Sequence, residues 1–529
     1  MVKEVIRHYL LLYALTILFG LGGAIAMGLF SLKTGGVIDS ANQNTDILFR
    51  QGLWAFLMLM LLFLFNILEN TCQAYYIQGI NKDLKAKLSA ALYKRELYHF
   101  KQKGHDYYLN QLTKNIDLLT DNYLVPRCNI VIQFFQIIAS IGFIVSINWQ
   151  LALALLVIVA ITIIVSQLPG LVMRKKTVAF TQANEQFLLV VNQLLRGFEQ
   201  IKLLNLTQIF RKRFEKSDND FEDKRRTYHW TNWTASSLGL VIAFTSQLAC
   251  MGIGVWFVIQ GQLTTGLLIA AVNLLNSVFQ PAQSLAYNRN LMSTVTDIMA
   301  EFNALGEENH SLSDQVTLQG PIDHIEIHDL SLAYNEDKVI FDHFQTSFQR
   351  GKHYAIIGES GRGKSTLMKL IMKYYPASAY SGAIEVNGQN IEQLSTESLY
   401  GQMAFIQRND FFIPGSVQEN IELYRELKKD PRPLYHQLKF TDVFLQKPLE
   451  QGSETHVSSG EAQRINIARF LVEDYDVLIF DEPTANLDPA TRDIIFDLIF
   501  SLDNKLILVI THVDNKAVLQ RFDDVLELK

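Results

Sequence analysis

The chain has 529 residues, 49% of them hydrophobic, and a mean hydropathy of +0.11, which is more than one ordinary core holds and predicts at least two domains. Its net charge of -6, from 47 basic and 53 acidic residues, gives no basic surface for nucleic acid. Cys72, Cys128 and Cys250 are scattered and odd in number, without disulfide or metal spacing, and read as small apolar fillers.

The apolar residues concentrate in the first half. Runs of about twenty apolar residues match about 30 Å of hydrocarbon at a rise of about 1.5 Å per residue. Six such segments are predicted: Tyr9 to Leu32, Leu53 to Leu68, Ile130 to Ile147, Leu151 to Val165, Leu238 to Ile259 and Leu267 to Phe279. The first lacks a small-residue cleavage site and reads as a span. Only Asn148-Trp149-Gln150 separates the third from the fourth, which predicts a tight helical hairpin, and Gln260-Gly261-Gln262 separates the fifth from the sixth.

Basic residues set the orientation, because they collect in cytoplasmic loops. Lys3 and Arg7 precede the first span, Lys82 to Lys103 follow the second, and Arg174 to Arg213 follow the fourth. These segments, and both termini, are therefore expected in the cytoplasm. The two inner segments are long, helix-like and poor in linker residues, so membrane helices are expected to continue below the bilayer. Their tips, near Gly104 to Tyr108 and Asn205 to Phe210, are expected to meet the second half of the chain.

In the sixth span Asn273, Asn276, Gln280 and Gln283 recur at spacings that place them on one helical face. Amides inside a membrane either border a water-filled substrate pathway or hydrogen-bond neighbouring helices, and the sequence allows both. Glu69, just past the second span, reads as a carboxylate snorkelling to the interface in preference to a cation site.

After a polar linker at 306–320, the chain reads as a soluble α/β domain. His324 to His328 alternates like a strand, and Tyr334 follows it, an aromatic ring able to stack on a base. Tyr354 to Ile357 is a short buried strand leading into Gly358, Glu359, Ser360, Gly361, Arg362, Gly363, Lys364, Ser365 and Thr366, and a helical pattern follows. The order strand, glycine loop, helix is that of a phosphate-binding loop. Its glycines turn backbone N–H groups toward phosphate at the helix N-terminus, Lys364 reaches the β- and γ-phosphates, and Ser365 ligates Mg²⁺. A second buried strand, Val477 to Phe480, ends in Asp481-Glu482, one carboxylate to hold Mg²⁺ and the next to orient or deprotonate water. A third, Leu506 to Ile510, delivers Thr511-His512 to the same sheet edge, where His512 is placed for the γ-phosphate.

Val457-Ser458-Ser459-Gly460-Glu461, followed by Gln463-Arg464, resembles the signature segment of ATP-binding cassette (ABC) proteins. Around it stand the phosphate loop, Gln407, Asp481-Glu482, Asp488 and His512 in the order of that family. Six spans ahead of the cassette, and Gly415 to Ile421, resemble its exporter branch. The resemblance implies an all-α six-helix transmembrane domain at 1–305, the linker at 306–320 and an α/β P-loop nucleotide-binding domain at 321–529. It implies ATP-driven export of a peptide, lipid or amphipathic small molecule across the plasma membrane of a bacterium, with ATP and Mg²⁺ as cofactors. An ATP-gated channel or sensor on the same fold is the alternative. Position by position, it assigns Tyr334 to the adenine, Gln407 to Mg²⁺ or water, and Ser458 and Gly460 to the γ-phosphate held by a second half-transporter. Asp488 would join the two sites of the dimer.

Ser459 stands where the family has glycine, and Glu461, where it has glutamine, adds a negative charge near a polyanion. Both are expected to weaken a site made from two identical chains, so a heterodimer is expected, its partner supplying the better signature. The stretch between Gln407 and Ser458 is short for the family, which predicts a reduced helical subdomain.

Overall fold

A computed structural model describes residues 1–41, 45–166, 168–307, 316–335, 338–407, 411–449, 457–485, 487–511 and 516–528. These residues form two compact units, one of residues 1–92 with 108–306 and the other of residues 93–107 with 307–529.

The first unit is helical. Apart from Tyr9, which stands between two helices, each predicted span lies inside a helix, and among the described residues five helices are long and apolar enough to cross a membrane, with Trp149–Ile158 a shorter apolar one. The helices Thr45–Tyr93 and Thr207–Ile259 have 49 and 53 residues. At about 1.5 Å per residue each far exceeds the hydrocarbon thickness, as expected of spans that continue below the bilayer. The predicted turns are built by local chemistry. The Asn148 side chain accepts from the backbone N–H groups of Gln150 and Leu151 at 2.9 and 3.0 Å, ending one helix and capping the next. Gly261, at φ +73, closes Thr207–Ile259 while the Gln262 N–H reaches back to the Phe257 carbonyl.

Helices Leu10–Ser40 and Thr265–Ser293 cross at Gly35 and Gly266, where a Cβ added to either would lie 2.5 or 2.1 Å from the other's carbonyl oxygen. Asp39 fastens this crossing by accepting from the Gly266 N–H at 2.8 Å and the Thr264 hydroxyl at 2.6 Å. A carboxylate at a helix N-terminus satisfies unpaired donors and opposes the helix dipole. Cys128 and Cys250 are buried and Cys72 half-buried, all free, as fillers should be.

In the second unit, β1 (His324–Asn335), β2 (Lys338–Gln349), β4 (Ser381–Val386) and β5 (Gln389–Asn390) form an antiparallel sheet in the order β2-β1-β4-β5. A parallel sheet is made of β3 (His353–Gly358), β6 (Met403–Ile406), β9 (Val477–Asp481), β10 (Leu506–Ile510) and β11 (Asp524–Leu528), ordered β11-β3-β10-β9-β6. The short strands β7 (Gly415–Ser416) and β8 (Pro448–Leu449) pair with each other. All five residues of β10 are buried, as a continuous apolar run in a central parallel strand requires.

Residues 93–107 fall within this second unit, whereas the sequence assigns them to the membrane half. Contact with the sheet unit is made by the short helix Leu97–Lys103, which Gly104 ends at φ +80, and so it lies just before the expected tip at Gly104 to Tyr108. The Tyr98 ring packs against Tyr375 with centroids 5.5 Å apart, and the Lys101 ammonium sits 5.4 Å from the Tyr374 ring centre. Apolar anchoring decides the position: Tyr98 joins the main core cluster, which the more polar tip does not. The other tip, around Asn205 at φ +55, belongs to the first unit. Of the linker at 306–320, residues 308–315 lie outside the described residues, and Val316 bridges to Leu394.

Candidate functional site

Strand order assembles the site. In the parallel sheet β3, β10, β9 and β6 are successive neighbours, so their carboxyl ends present Gly358, Thr511, Asp481 and Gln407 along one edge. His512 was expected beside Thr511 but lies outside the described residues, as does the Tyr334 side chain, whose backbone belongs to β1.

Glu359 to Gly363 form the loop between β3 and the helix Lys364–Ile371, with Lys364, Ser365 and Thr366 in the first helical turn. Gly358 and Gly363 cannot be replaced without collision. Gly358, at φ +148, has the Leu528 carbonyl 2.5 Å from where a Cβ would stand, and Gly363, at φ +89, has Ile340 at 2.6 Å. Exposed Ser360 and Gly361 form the turn, and Arg362 pairs with Glu359 at 3.2 Å. The buried Lys364 ammonium donates to the carbonyls of Gly358 and Glu359 at 2.8 and 3.0 Å, which fixes it over the loop.

Three sequence-predicted metal ligands come together. The Ser365 hydroxyl donates to one oxygen of Asp481 at 3.2 Å, and the Gln407 amide donates to the other at 3.2 Å. Hydroxyl, amide and carboxylate oxygens are hard donors of the kind Mg²⁺ takes, and each retains a lone pair for it. Glu482 follows, exposed, at φ +49, a conformation unfavourable for a glutamate but fixed by its N–H to the Ile510 carbonyl at 3.1 Å. Ser365, Gln407, Asp481 and Glu482 line one cavity of about 410 Å³.

That cavity also includes Ser459, Gln463, Ala485 and Leu487 of the same chain. The sequence reading gave Gln463 no role of its own, yet it is buried and its side-chain nitrogen has no hydrogen-bond partner among the described residues. Its place four residues beyond Ser459 on a helix was the available signal.

The signature segment corrects one sequence expectation. Ser458 caps the helix Ser459–Leu471, and Glu461 closes a capping box: its carboxylate accepts from the Ser458 N–H at 2.7 Å while the Ser458 hydroxyl accepts from the Glu461 N–H at 3.2 Å. The glutamate charge is thus turned back onto the helix N-terminus, where it is favourable, in place of standing free before a phosphate. At Gly460, in the first turn, an added Cβ would meet only ordinary contacts at 3.6 Å and beyond. Deeper in this helix, Arg469 donates to the carbonyls of Asn420 and Phe411, both at 2.9 Å, and Asn420 is itself saturated by Ile413 and Ser416. The stretch from Gly415 to Ile421 therefore braces the signature helix. Asp488 caps the helix Pro489–Phe500, accepting from the Thr491 N–H at 2.9 Å, and this hydrogen bonding holds its carboxyl below the usual range. Between Gln407 and Ser458 the described residues contain the short helices Val417–Glu422, Arg432–Gln437 and Asp442–Leu445.

The helical unit has its own cavity, of about 760 Å³. Asn273, Asn276 and Gln280 line it, while Gln283, past Pro281, is exposed and outside the lining. Glu69, read from the sequence as an interfacial carboxylate, lines it too: Leu62, Asn66 and Glu69, spaced by four and three, share one helical face toward the cavity.

A glycine loop opening a helix, with two carboxylates at the end of a strand in the same parallel sheet, defines a P-loop nucleotide hydrolase, here in one chain with a multi-pass helical unit. The chain belongs to the ABC transporter family: the match to the ABC transporter transmembrane region spans residues 13–282, and a second match, to the ABC transporter model, spans 341–485. It is similar to putative multidrug export ATP-binding/permease proteins of Staphylococcus aureus. One, from strain NCTC 8325, is 27% identical over 436 residues, covering 78% of this chain and 74% of the relative; one from a bovine strain is 26% identical over 435. The solved structure of a bacterial Atm1-family ABC exporter with ATP bound aligns with a TM-score of 0.77 at 19% identity, covering 99% of this chain and 94% of that one. ABC half-transporters of this kind act as dimers and couple ATP hydrolysis to transport.

Proposed function

We propose that this chain is half of an exporter in which ATP binding and hydrolysis drive a helical bundle between inward- and outward-facing states, moving an amphipathic substrate out of the cytoplasm. The observation that carries it is the convergence of Ser365, Gln407, Asp481 and Glu482 on one cavity, in a chain whose other unit is built of membrane-length helices. The proposed division is a transmembrane domain at 1–305, a linker at 306–320 and a cassette at 321–529. The names of the S. aureus relatives support export.

In the proposed site the Gly358 to Thr366 loop cradles the phosphates, with Lys364 and His512 at the γ-phosphate and Tyr334 against the adenine. Ser365, Gln407 and Asp481 would hold Mg²⁺, whose chemistry is to neutralise charge that develops on the phosphate oxygens. Glu482 holds the attacking water and takes its proton. A triphosphate held between two cassettes makes contacts that the products lose, so nucleotide state biases the bundle between its two forms. Ser458, Ser459 and Gly460 would complete the partner's site, with Asp488 at the dimer seam. A different half-transporter is the proposed partner. With the Glu461 charge spent on a capping box, that preference rests on Ser459 alone.

Glu482→Gln in the chain reconstituted in lipid tests the mechanism. ATP still binds, and hydrolysis falls by about 10² to 10⁴, the usual cost of losing a general base. Unchanged hydrolysis removes Glu482 from the mechanism.

A further inference from the structure

We propose that the cavity of the helical unit selects cationic amphipathic substrates and that the Glu69 carboxylate is the group that reads their charge. The proposal rests on the export reading above and gives it a substrate class.

Of the described residues lining the cavity, Glu69 alone is ionisable; the other polar walls are the amides of Asn66, Gln136, Gln247 and Asn273 and their neighbours, on four helices. Amides orient polar groups without charge preference, so charge selection falls to the single carboxylate. Glu69 is half-buried, and among the described residues it pairs with no lysine, arginine or histidine. Arg127, the guanidinium on the neighbouring helix Val125–Ile147, stacks over the Tyr13 ring at 4.9 Å. A carboxylate removed from bulk water without a counter-charge is costly, and in membrane segments such a group pairs with a cation or marks a substrate path. Among the described residues the protein supplies no cation. The occupant must.

The remaining walls define the rest of the molecule. Met27, Leu62, Ile132 and Phe244 offer apolar and aromatic surface, and Gly20 and Gly23 leave room beside the first helix. An apolar body suits these walls, and a single positive charge suits Glu69. An anion meets repulsion from the carboxylate, and a dication leaves one charge with amides only. Interfacial snorkelling does not account for the position, because the stripe Leu62, Asn66, Glu69 borders the cavity itself. Hydrogen-bonding glue does not either, since among the described residues no helix offers Glu69 a partner.

The test uses tetraphenylphosphonium and tetraphenylborate, ions of nearly the same shape and opposite charge. Binding of each to the full chain in lipid nanodiscs is measured, with ATP-driven accumulation of the phosphonium in inside-out vesicles alongside. The intact chain prefers the phosphonium. Glu69→Gln weakens phosphonium binding by roughly ten- to a hundredfold, as expected for one charge pair at intermediate dielectric. The same change leaves tetraphenylborate unaffected or tighter, and Glu69→Asp retains the preference. Equal phosphonium affinity in Glu69→Gln overturns the proposal. So does parallel loss of both ions in Glu69→Gln and Glu69→Asp at unchanged melting temperature, which marks a structural role. Glu69-dependent phosphonium binding without ATP-driven accumulation, in vesicles that carry this chain together with its partner half-transporter, leaves the site standing and rejects the export reading beneath it.

Discussion

Tyr98→Ala should loosen the helix Leu97–Lys103 from the cassette by about 3 kcal/mol. The side chain is half-buried against the core cluster that holds Tyr375, 5.5 Å away between ring centroids. Half of a tyrosine's contact area is about 100 Å², which at about 25 cal/mol per Å² gives about 2.5 kcal/mol; the paired rings add about 0.5 to 1.5, offset in part by compaction of the undocked segment. At about 1.4 kcal/mol per tenfold, the opening equilibrium rises roughly a hundredfold. Amide hydrogen exchange in the full chain reads this directly, since protection across 97–103 measures local opening. Tyr98→Phe keeps the ring and should stay within about threefold of the parent. Because this helix follows directly from the long helix Thr45–Tyr93, its release also predicts ATP hydrolysis that no longer responds to transported substrate. Unchanged protection in Tyr98→Ala would refute the claim that this ring holds the helix in place.

Two further predictions concern the stability of the cassette. Arg469→Met leaves the carbonyls of Asn420 and Phe411 without their donor, costing about 1 to 3 kcal/mol each, and a thermal melt within error of the parent would reject the bracing role. Burial pushes the Arg469 guanidinium down to about 10, so it stays charged at neutral pH and the loss is present across the physiological range. Asp474, held by Lys429 and Lys505 at 2.7 Å each, has its carboxyl pushed down to about 2 from an ordinary 3.8. A depressed folded-state value means stability that is full above about pH 4 and lost as pH falls toward 2. With 62% of the side chain exposed, screening reduces this to about 1 kcal/mol, and Asp474→Asn should flatten that part of the stability–pH curve measured by denaturant titration.

Much of this architecture was legible because its signals are local. Ile356 and Ile357 before Gly358, or Phe480 before Asp481, mark buried strands that end in functional residues, and parallel pairing then leaves few ways to arrange them. Turn chemistry at Asn148 and Gly261 was equally readable. What was not legible depends on partners distant in sequence or on side-chain direction. Glu461 carries a capping-box spacing with Ser458, but family resemblance drew attention to its charge before its geometry. Glu69 looked interfacial because a run of apolar residues ends at Leu68; only the crossing of five helices reveals that its face meets Asn273 and Gln247 around one cavity. The anchoring of Leu97–Lys103 depends on Tyr375, far along the chain, and no periodicity encodes that contact.

The pairing of half-transporters turns on Ser459, and Ser459→Gly separates the alternatives. Ser459 is exposed at the first position of its helix and borders the cavity that also contains Ser365, Asp481 and Glu482. Glycine there removes a hydroxymethyl group where backbone must approach phosphate, at a cost to the helix of at most about 1 kcal/mol, and less in the first turn. If two copies of this chain complete each other's sites, both sites gain, and the ATP turnover of the purified chain in lipid rises. If the signature normally used comes from another half-transporter, the purified chain hydrolyses ATP poorly, and the substitution acts in the mixed dimer on the partner's nucleotide alone. The decisive comparison is turnover per nucleotide site for the purified chain and for the co-expressed pair, each with Ser459 and with glycine. Full substrate-stimulated turnover by a dimer of this chain alone, unaltered by the glycine, would refute the heterodimer and the idea that Ser459 impairs a site.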